Sequence, residues 1–153
     1  MKFIATDVSD TKRKMVDMAA TQLSKPGFAI DPYFYRSHVT YQAELENIIF
    51  KSWLYAGHIS QIAKKGDFFL FDIGEDSIII CRDNKDHVRA MHNICRHRGA
   101  RVCEEASGNR RAFVCPYHGW GYGNDGTLKA ARDMHNVEGF NVDDYSLLSL
   151  IHI

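Results

Sequence analysis

The stretch Cys95–His118, CRHRGARVCEEASGNRRAFVCPYH, decides how this chain is read. It opens with a Cys-x-His pair, Cys95 and His97, and closes with a Cys-x-x-His pair, Cys115 and His118. Seventeen residues lie between the pairs (98–114), mostly of the kinds that build loops. On either side, short runs rich in aromatic and branched residues are bounded by Gly, Asp or Asn: GDFFLFDIG (66–74), SIIICRD (77–83) and HVRAMHN (87–93). DNKD (83–86) reads as a hairpin turn. RAFVC (111–115) and the stretch ending at Tyr122 read as a second hairpin, followed by an NDG turn (124–126). Cys95 and His97 therefore end one strand, and Cys115 and His118 take the same place on the next hairpin. Two loops on an antiparallel scaffold can then offer two thiolates and two imidazoles to a common centre.

That donor set suits two kinds of metal. Zinc accepts two Cys and two His in a tetrahedron. A [2Fe–2S] cluster accepts them with both thiolates on one iron and both imidazoles on the other. Zinc fingers usually pair Cys with Cys and His with His. Here each loop brings one of each, so two loops can clamp a two-iron cluster from opposite sides. Gly99, Gly119, Gly121 and Gly123 crowd these loops and let backbone N–H groups approach cluster sulfurs. Cys95, His97, Cys115 and His118 are accordingly the expected metal and cofactor ligands. Cys81, inside a β run, and Cys103 read as packing thiols. His87 and His92 read as polar hairpin positions, and His38, His58 and His135 as isolated histidines. Trp120 is expected to pack against the ligand loop. Arg96, Arg98, Arg101, Arg110 and Arg111 form a basic patch beside Glu104 and Glu105, either a solvated rim or a docking face for an acidic electron donor.

Upstream, Asp10–Ser24 reads as an exposed helix, 25–37 as a connector broken by Pro26, Gly27 and Pro32, and Thr40–Trp53 as a stronger helix. Leu45, Ile48, Ile49 and Trp53 mark its apolar stripe, with Thr40 as the expected N-cap. The expected class is mainly β: small antiparallel sheets (56–147) preceded by a helical lead (1–55). The 153 residues hold 19 Lys+Arg and 19 Asp+Glu, which argues against a nucleic-acid partner. No stretch has the length of a membrane span, and MKFIATDVSD has no apolar run of a secretory signal. A cytoplasmic location is expected, and four cysteines there favour metal binding over disulfides.

Cys95-x-His97-Arg98-Gly99 followed by Cys115-Pro116-Tyr117-His118-Gly119-Trp120 resembles the Rieske motif. With Tyr122, the Asp125-Gly126 turn and the lead-in IIFKSWLYAGHISQIAKKGDFF (48–69), the chain is similar to the α subunit of Rieske non-haem iron oxygenases from about Pro32 to Leu147. The resemblance implies a cluster fold with the two cysteines on the iron that stays ferric and the two histidines on the iron that changes valence. It implies a potential of roughly −150 mV or above. It also implies a reductase or ferredoxin as electron donor, a homo-oligomeric (trimeric) whole protein, and a mononuclear Fe(II) held by two His and one carboxylate in a further C-terminal domain. Nothing after His118 matches that triad, so catalysis is expected to need the further domain. A stand-alone Rieske ferredoxin is the alternative, against which the helical lead and WLYAGH (53–58) speak. GTLKAARDM (126–134) leans toward oxygenases of quaternary ammonium compounds. The final LSLIHI (148–153) is expected to be non-native, since a transposon-end sequence used in preparing sequencing libraries encodes the same six residues.

Overall fold

A computed structural model describes residues 9–150. The chain divides into two compact units, one up to Tyr55 and the other from Ala56 onward.

The first unit is helical. Helix α1 (Lys12–Leu23) starts at Thr11, whose hydroxyl accepts the Lys14 N–H at 3.2 Å. The breaker-rich connector, expected to be irregular, contains a short helix α2 (Pro32–Arg36), because Asp31 caps it and Pro32 is preset for the first helical position. Helix α3 (His38–Asn47) is capped by Ser37, not by Thr40: the Ser37 hydroxyl accepts the Thr40 N–H at 2.9 Å, and Thr40 is buried in the first turn. The helix ends at Asn47, well short of Trp53; Ile48 leaves the helical region at φ −120°, and Ile49–Lys51 forms a 3₁₀ turn. Two consecutive β-branched residues favour that exit. Of the expected apolar stripe only Leu45 is buried, while Trp53 is fully exposed. Asp10 holds the unit together by accepting from Tyr33 Oη and Ser37 Oγ, both at 2.8 Å, and from the Val39 N–H at 3.2 Å. Burial raises the pKa of its carboxyl, but those hydrogen bonds outweigh it and hold the group below its usual range.

The second unit is antiparallel β. Strands β1 (Asp67–Ile73), β2 (Asp76–Arg82), β3 (Val88–His92) and β4 (Ser107–Asn109) form one sheet in the order β3-β2-β1-β4. Strands β5 (Ala112–Val114), β6 (Gly121–Gly123) and β7 (Leu128–Ala130) form a second. The three apolar runs seen in the sequence are β1, β2 and β3. β2 is apolar without a break because both its faces are covered: Ile79 and Cys81 belong to the main core, Ile78 and Ile80 to a smaller cluster with Ile62. The sheets meet edge-to-face through Phe68 of β1 and Phe113 of β5, with ring centroids 5.3 Å apart. At the β2–β3 turn the buried Asp83 carboxylate accepts from the Lys85 and His87 N–H groups and from Arg89 Nε, all at 2.8 Å. Of the six residues expected to be non-native, Leu148–Leu150 lie along β3. The His92 N–H donates to Leu148 O at 2.9 Å and the Leu150 N–H to Ala90 O at 2.8 Å; residues 151–153 lie outside those described. Among the described residues no helix is long and apolar enough to cross a membrane.

Candidate metal centre

The two Cys-His loops have one backbone design. Each opens with its cysteine and runs through a three-residue turn, 96–98 in the first and 116–118 in the second. In each, the glycine four residues on donates its N–H to the cysteine carbonyl: Gly99 to Cys95 at 2.9 Å, Gly119 to Cys115 at 3.0 Å. The cysteine N–H closes the loop on the residue after that glycine, Cys95 to Ala100 O at 2.8 Å and Cys115 to Trp120 O at 2.9 Å. Both glycines sit at positive φ, 74° and 72°, where a side chain is strained. The loops differ in where histidine stands. His97 is the middle residue of its turn and His118 the last of its own, which is what Cys-x-His and Cys-x-x-His encode.

Both thiols point inward, and Cys95 and Cys115 are 2% exposed. Burial pushes the Cys115 thiol above its usual pKa, and the neighbouring Cys95 adds to the shift. The two imidazoles lie together further out, with ring centroids 4.7 Å apart at 71°. Trp120 is flat against the His97 ring, 4.8 Å away at 10°, and Tyr117 leans on His118 at 3.9 Å. Trp120 is thus part of the core and the backing of the His97 ring at once. His97 Nδ1 is buried with no hydrogen-bond partner among the described residues. Its pKa is lowered, first by burial and then by His118 and Arg98, so the ring is held neutral, as a metal ligand must be. A buried orphan nitrogen is costly; a metal ion removes the cost.

The donors gather thiol with thiol and imidazole with imidazole. Among the described residues no three His, Cys, Asp or Glu side chains converge where a single ion could be held. That arrangement fits two metals with two donors each and does not fit a zinc tetrahedron.

Two further residues serve the site, and neither was singled out for it from the sequence. The Tyr122 hydroxyl accepts the Arg96 N–H at 3.0 Å and lies 3.3 Å from Cys95 Sγ. Either the hydroxyl or the thiol can donate in that contact; burial, then Cys95, holds the phenol well above its ordinary pKa. Asn93, fully buried, braces the first loop. Its Oδ1 accepts the Val102 and Cys103 N–H groups at 3.0 and 2.8 Å, and its Nδ2 donates to Cys103 O at 2.7 Å and Ser77 Oγ at 3.2 Å. Only an Asn just after a strand hinted at this. Cys81 and Cys103 are buried, unpaired and outside the donor set. The Cys81 thiol donates to Asn124 O at 3.2 Å, and burial pushes its pKa up to about 12. His87 sits 3.5 Å from the Asp83 carboxylate and His58 caps a 3₁₀ turn at Ile59–Ile62, so neither joins the centre. Of the five arginines, Arg101 pairs with Asp72 at 3.7 Å and Arg110 with Glu105. Arg96, Arg98 and Arg111 are exposed and have no carboxylate partner among the described residues.

A site of this design, on one loop between the two edge strands β3 and β4 and one hairpin between β5 and β6, is matched by the model of a protein family. The Rieske [2Fe-2S] domain covers residues 52–141, and this chain belongs to that family. It is 43% identical over 99 residues to the biphenyl 2,3-dioxygenase α subunit of Rhodococcus jostii (strain RHA1), matching 65% of this chain and 22% of that protein. Among solved structures, naphthalene 1,2-dioxygenase from Rhodococcus sp. bound to indole matches with a TM-score of 0.76 and 29% identity, over 90% of this chain and 31% of the other. The quaternary ammonium Rieske monooxygenase CntA in complex with L-carnitine matches with a TM-score of 0.69 and 33% identity, over 76% of this chain and 33% of the other. The chain spans about a fifth of the length of the curated relatives it matches.

Proposed function

We propose that Cys95, His97, Cys115 and His118 hold a Rieske-type [2Fe–2S] cluster, and that this unit is the electron-transfer domain of an oxygenase α subunit working in the cytoplasm. The observation that carries the reading is the two-plus-two grouping of the side chains, with a buried His97 Nδ1 that has no partner among the described residues. When bound, such a cluster takes up and releases one electron at a time.

The chain's own residues set the terms. The buried cysteines keep sulfur away from water. The outer imidazoles put His118 at the surface, so that electrons enter and leave on that side. Tyr122 donates to the Cys95 thiolate, which spreads its charge and favours the reduced state. Arg96, Arg98 and Arg111, exposed and without a carboxylate partner among the described residues, offer an acidic electron donor a docking rim around the ligand turns. In a homo-oligomeric whole protein a further domain would hold a mononuclear non-haem iron through two His and one carboxylate, and with electrons from this unit that iron would supply O₂-dependent hydroxylation or demethylation. The similar proteins include aromatic-ring dioxygenases as well as a quaternary ammonium monooxygenase. That spread carries no choice between the two substrate classes and gives the quaternary ammonium expectation no advantage.

Anaerobic reconstitution of the purified chain with iron and sulfide tests the reading. The expected result is a coloured protein with about two irons and two sulfides per chain, as a [2Fe–2S] cluster requires, and no colour in Cys115→Ala. A colourless, iron-free product from the unchanged chain overturns it. In the whole gene, a two-His-one-carboxylate motif downstream separates the oxygenase from a free-standing electron carrier.

A further inference from the structure

The aromatic side chains behind His97 form a line that continues past the ring stacked on it. Trp120, 1% exposed, lies face-on to the His97 ring at 4.8 Å. It meets Tyr145 edge-to-face at 5.7 Å and 82°, and Phe140 at 5.8 Å and 69°. Phe140 stacks on Tyr145 at 4.8 Å, and both are half-buried. Tyr145 ends the 3₁₀ turn Val142–Tyr145, where Asp143 and Asp144 face solvent. Ring contact therefore runs from a proposed ligand to a water-facing edge in two steps. The two side chains that make those steps, an indole and a phenol, are the aromatic types that give up an electron most readily. Phe140, which cannot do so, flanks both and shields their contact.

We propose that His97, Trp120 and Tyr145 form an escape route that carries oxidising equivalents away from the metal centre to the surface. The route rests on the ligand assignment above. Its oxidant would be a hydroxyl radical, formed when peroxide takes one electron from the reduced centre, which is thereby oxidised, and releases one hydroxide ion. Trp120 gives that oxidant one electron, and with one proton from water the oxidant becomes water. The indole radical cation takes one electron from Tyr145 and is restored. The phenol proton leaves to solvent, which leaves a neutral tyrosyl radical at the surface. A soluble thiol then gives up a hydrogen atom, restoring the phenol and becoming a thiyl radical. The sequence runs downhill, because a phenol that sheds its proton is easier to oxidise than an indole. Tyr117, on His118 at 3.9 Å and 60% exposed, is the competing one-step exit.

The test uses the cluster-loaded full chain, reduced and then treated with hydrogen peroxide and a nitroso spin trap. Peptide mass spectrometry maps the adduct, and visible absorbance follows the cluster. The expected adduct is on Tyr145, and Tyr117→Phe leaves it there. Tyr145→Phe keeps the ring packing and removes only the hydroxyl; it is expected to shift oxidation back to Trp120 as hydroxytryptophan and to speed bleaching. An adduct on Tyr117 with none on Tyr145 overturns the route, as does Tyr145→Phe bleaching at the unchanged rate with Trp120 intact. The visible band before peroxide reports the ligand assignment separately: if it is absent, that assignment falls and takes the route with it.

Discussion

The loop 95–100 and the loop 115–120 share a backbone and differ in what holds them. The first is flanked by a polar brace, Asn93 just before it bonding Val102 and Cys103 just after it and Ser77 of β2, and it starts at the third residue past β3. The second springs straight from β5 and is backed by Phe113, fully buried against Phe68. The same turn is thus built once on hydrogen bonds and once on apolar packing. The lesson is that the turn's closure, from cysteine to glycine, is local, while its anchorage is not.

The comparison breaks most sharply at the histidines. Exchanging the two residues in the first loop, His97→Arg with Arg98→His, gives both loops the Cys-x-x-His spacing. Because the backbone turn is unchanged, the circular dichroism spectrum is expected to stay and the bound iron to be lost. Iron retained at the original level shows that the one-residue offset is not what places the imidazoles. The anchors come next. Phe113→Ala is expected to cost about 3–5 kcal/mol in a denaturant titration, as for a large buried aromatic. Asn93→Ala is expected to cost about 2 kcal/mol, because the buried Val102 and Cys103 N–H groups lose their acceptor. Amide exchange is expected to rise in the first loop for the Asn variant and in β5 for the Phe variant. The glycines sharpen the likeness. A Cβ at Gly99 or at Gly119 meets nothing within 4 Å, so Gly99→Ala and Gly119→Ala should each cost about 1 kcal/mol from the left-handed backbone alone. Unequal costs reveal that the two turns are not equivalent. The smallest effect belongs to the first loop alone. Tyr122→Phe removes one hydrogen bond to Cys95 and is expected to lower the midpoint potential on the order of tens of mV, about 1 kcal/mol for one such bond. Protein-film voltammetry reads it.

Much of this could be read from residues in a row. The runs FFLF and III gave β1 and β2, and the Cys and His spacing singled out four side chains that the structure places on two matching turns, thiol beside thiol and imidazole beside imidazole. What was missed depended on distant partners. β4 is Ser-Gly-Asn, polar and three residues long, and is a strand only because β1 pairs with it. Ser37 and Thr40 are equally able caps; Ser37 is chosen because it also ends α2 and reaches Asp10. The role of Tyr122 requires β6 to pass under Cys95, and that of Asn93 requires Ser77 and Cys103 on either side, neither of which a single stretch announces.

The residues beside β3 have a consequence of their own. β3 is the last strand of its sheet, and an open strand is a template for sticking to other chains. Leu148 and Leu150 cover it through main-chain atoms alone at those two bonds, and Leu150 drops its side chain among Ile62, Ile78 and Ile80. A fastening of that kind is indifferent to most side chains. Many different continuations of the polypeptide can be joined at this point without reshaping the sheet, as long as a greasy residue falls where Leu150 does.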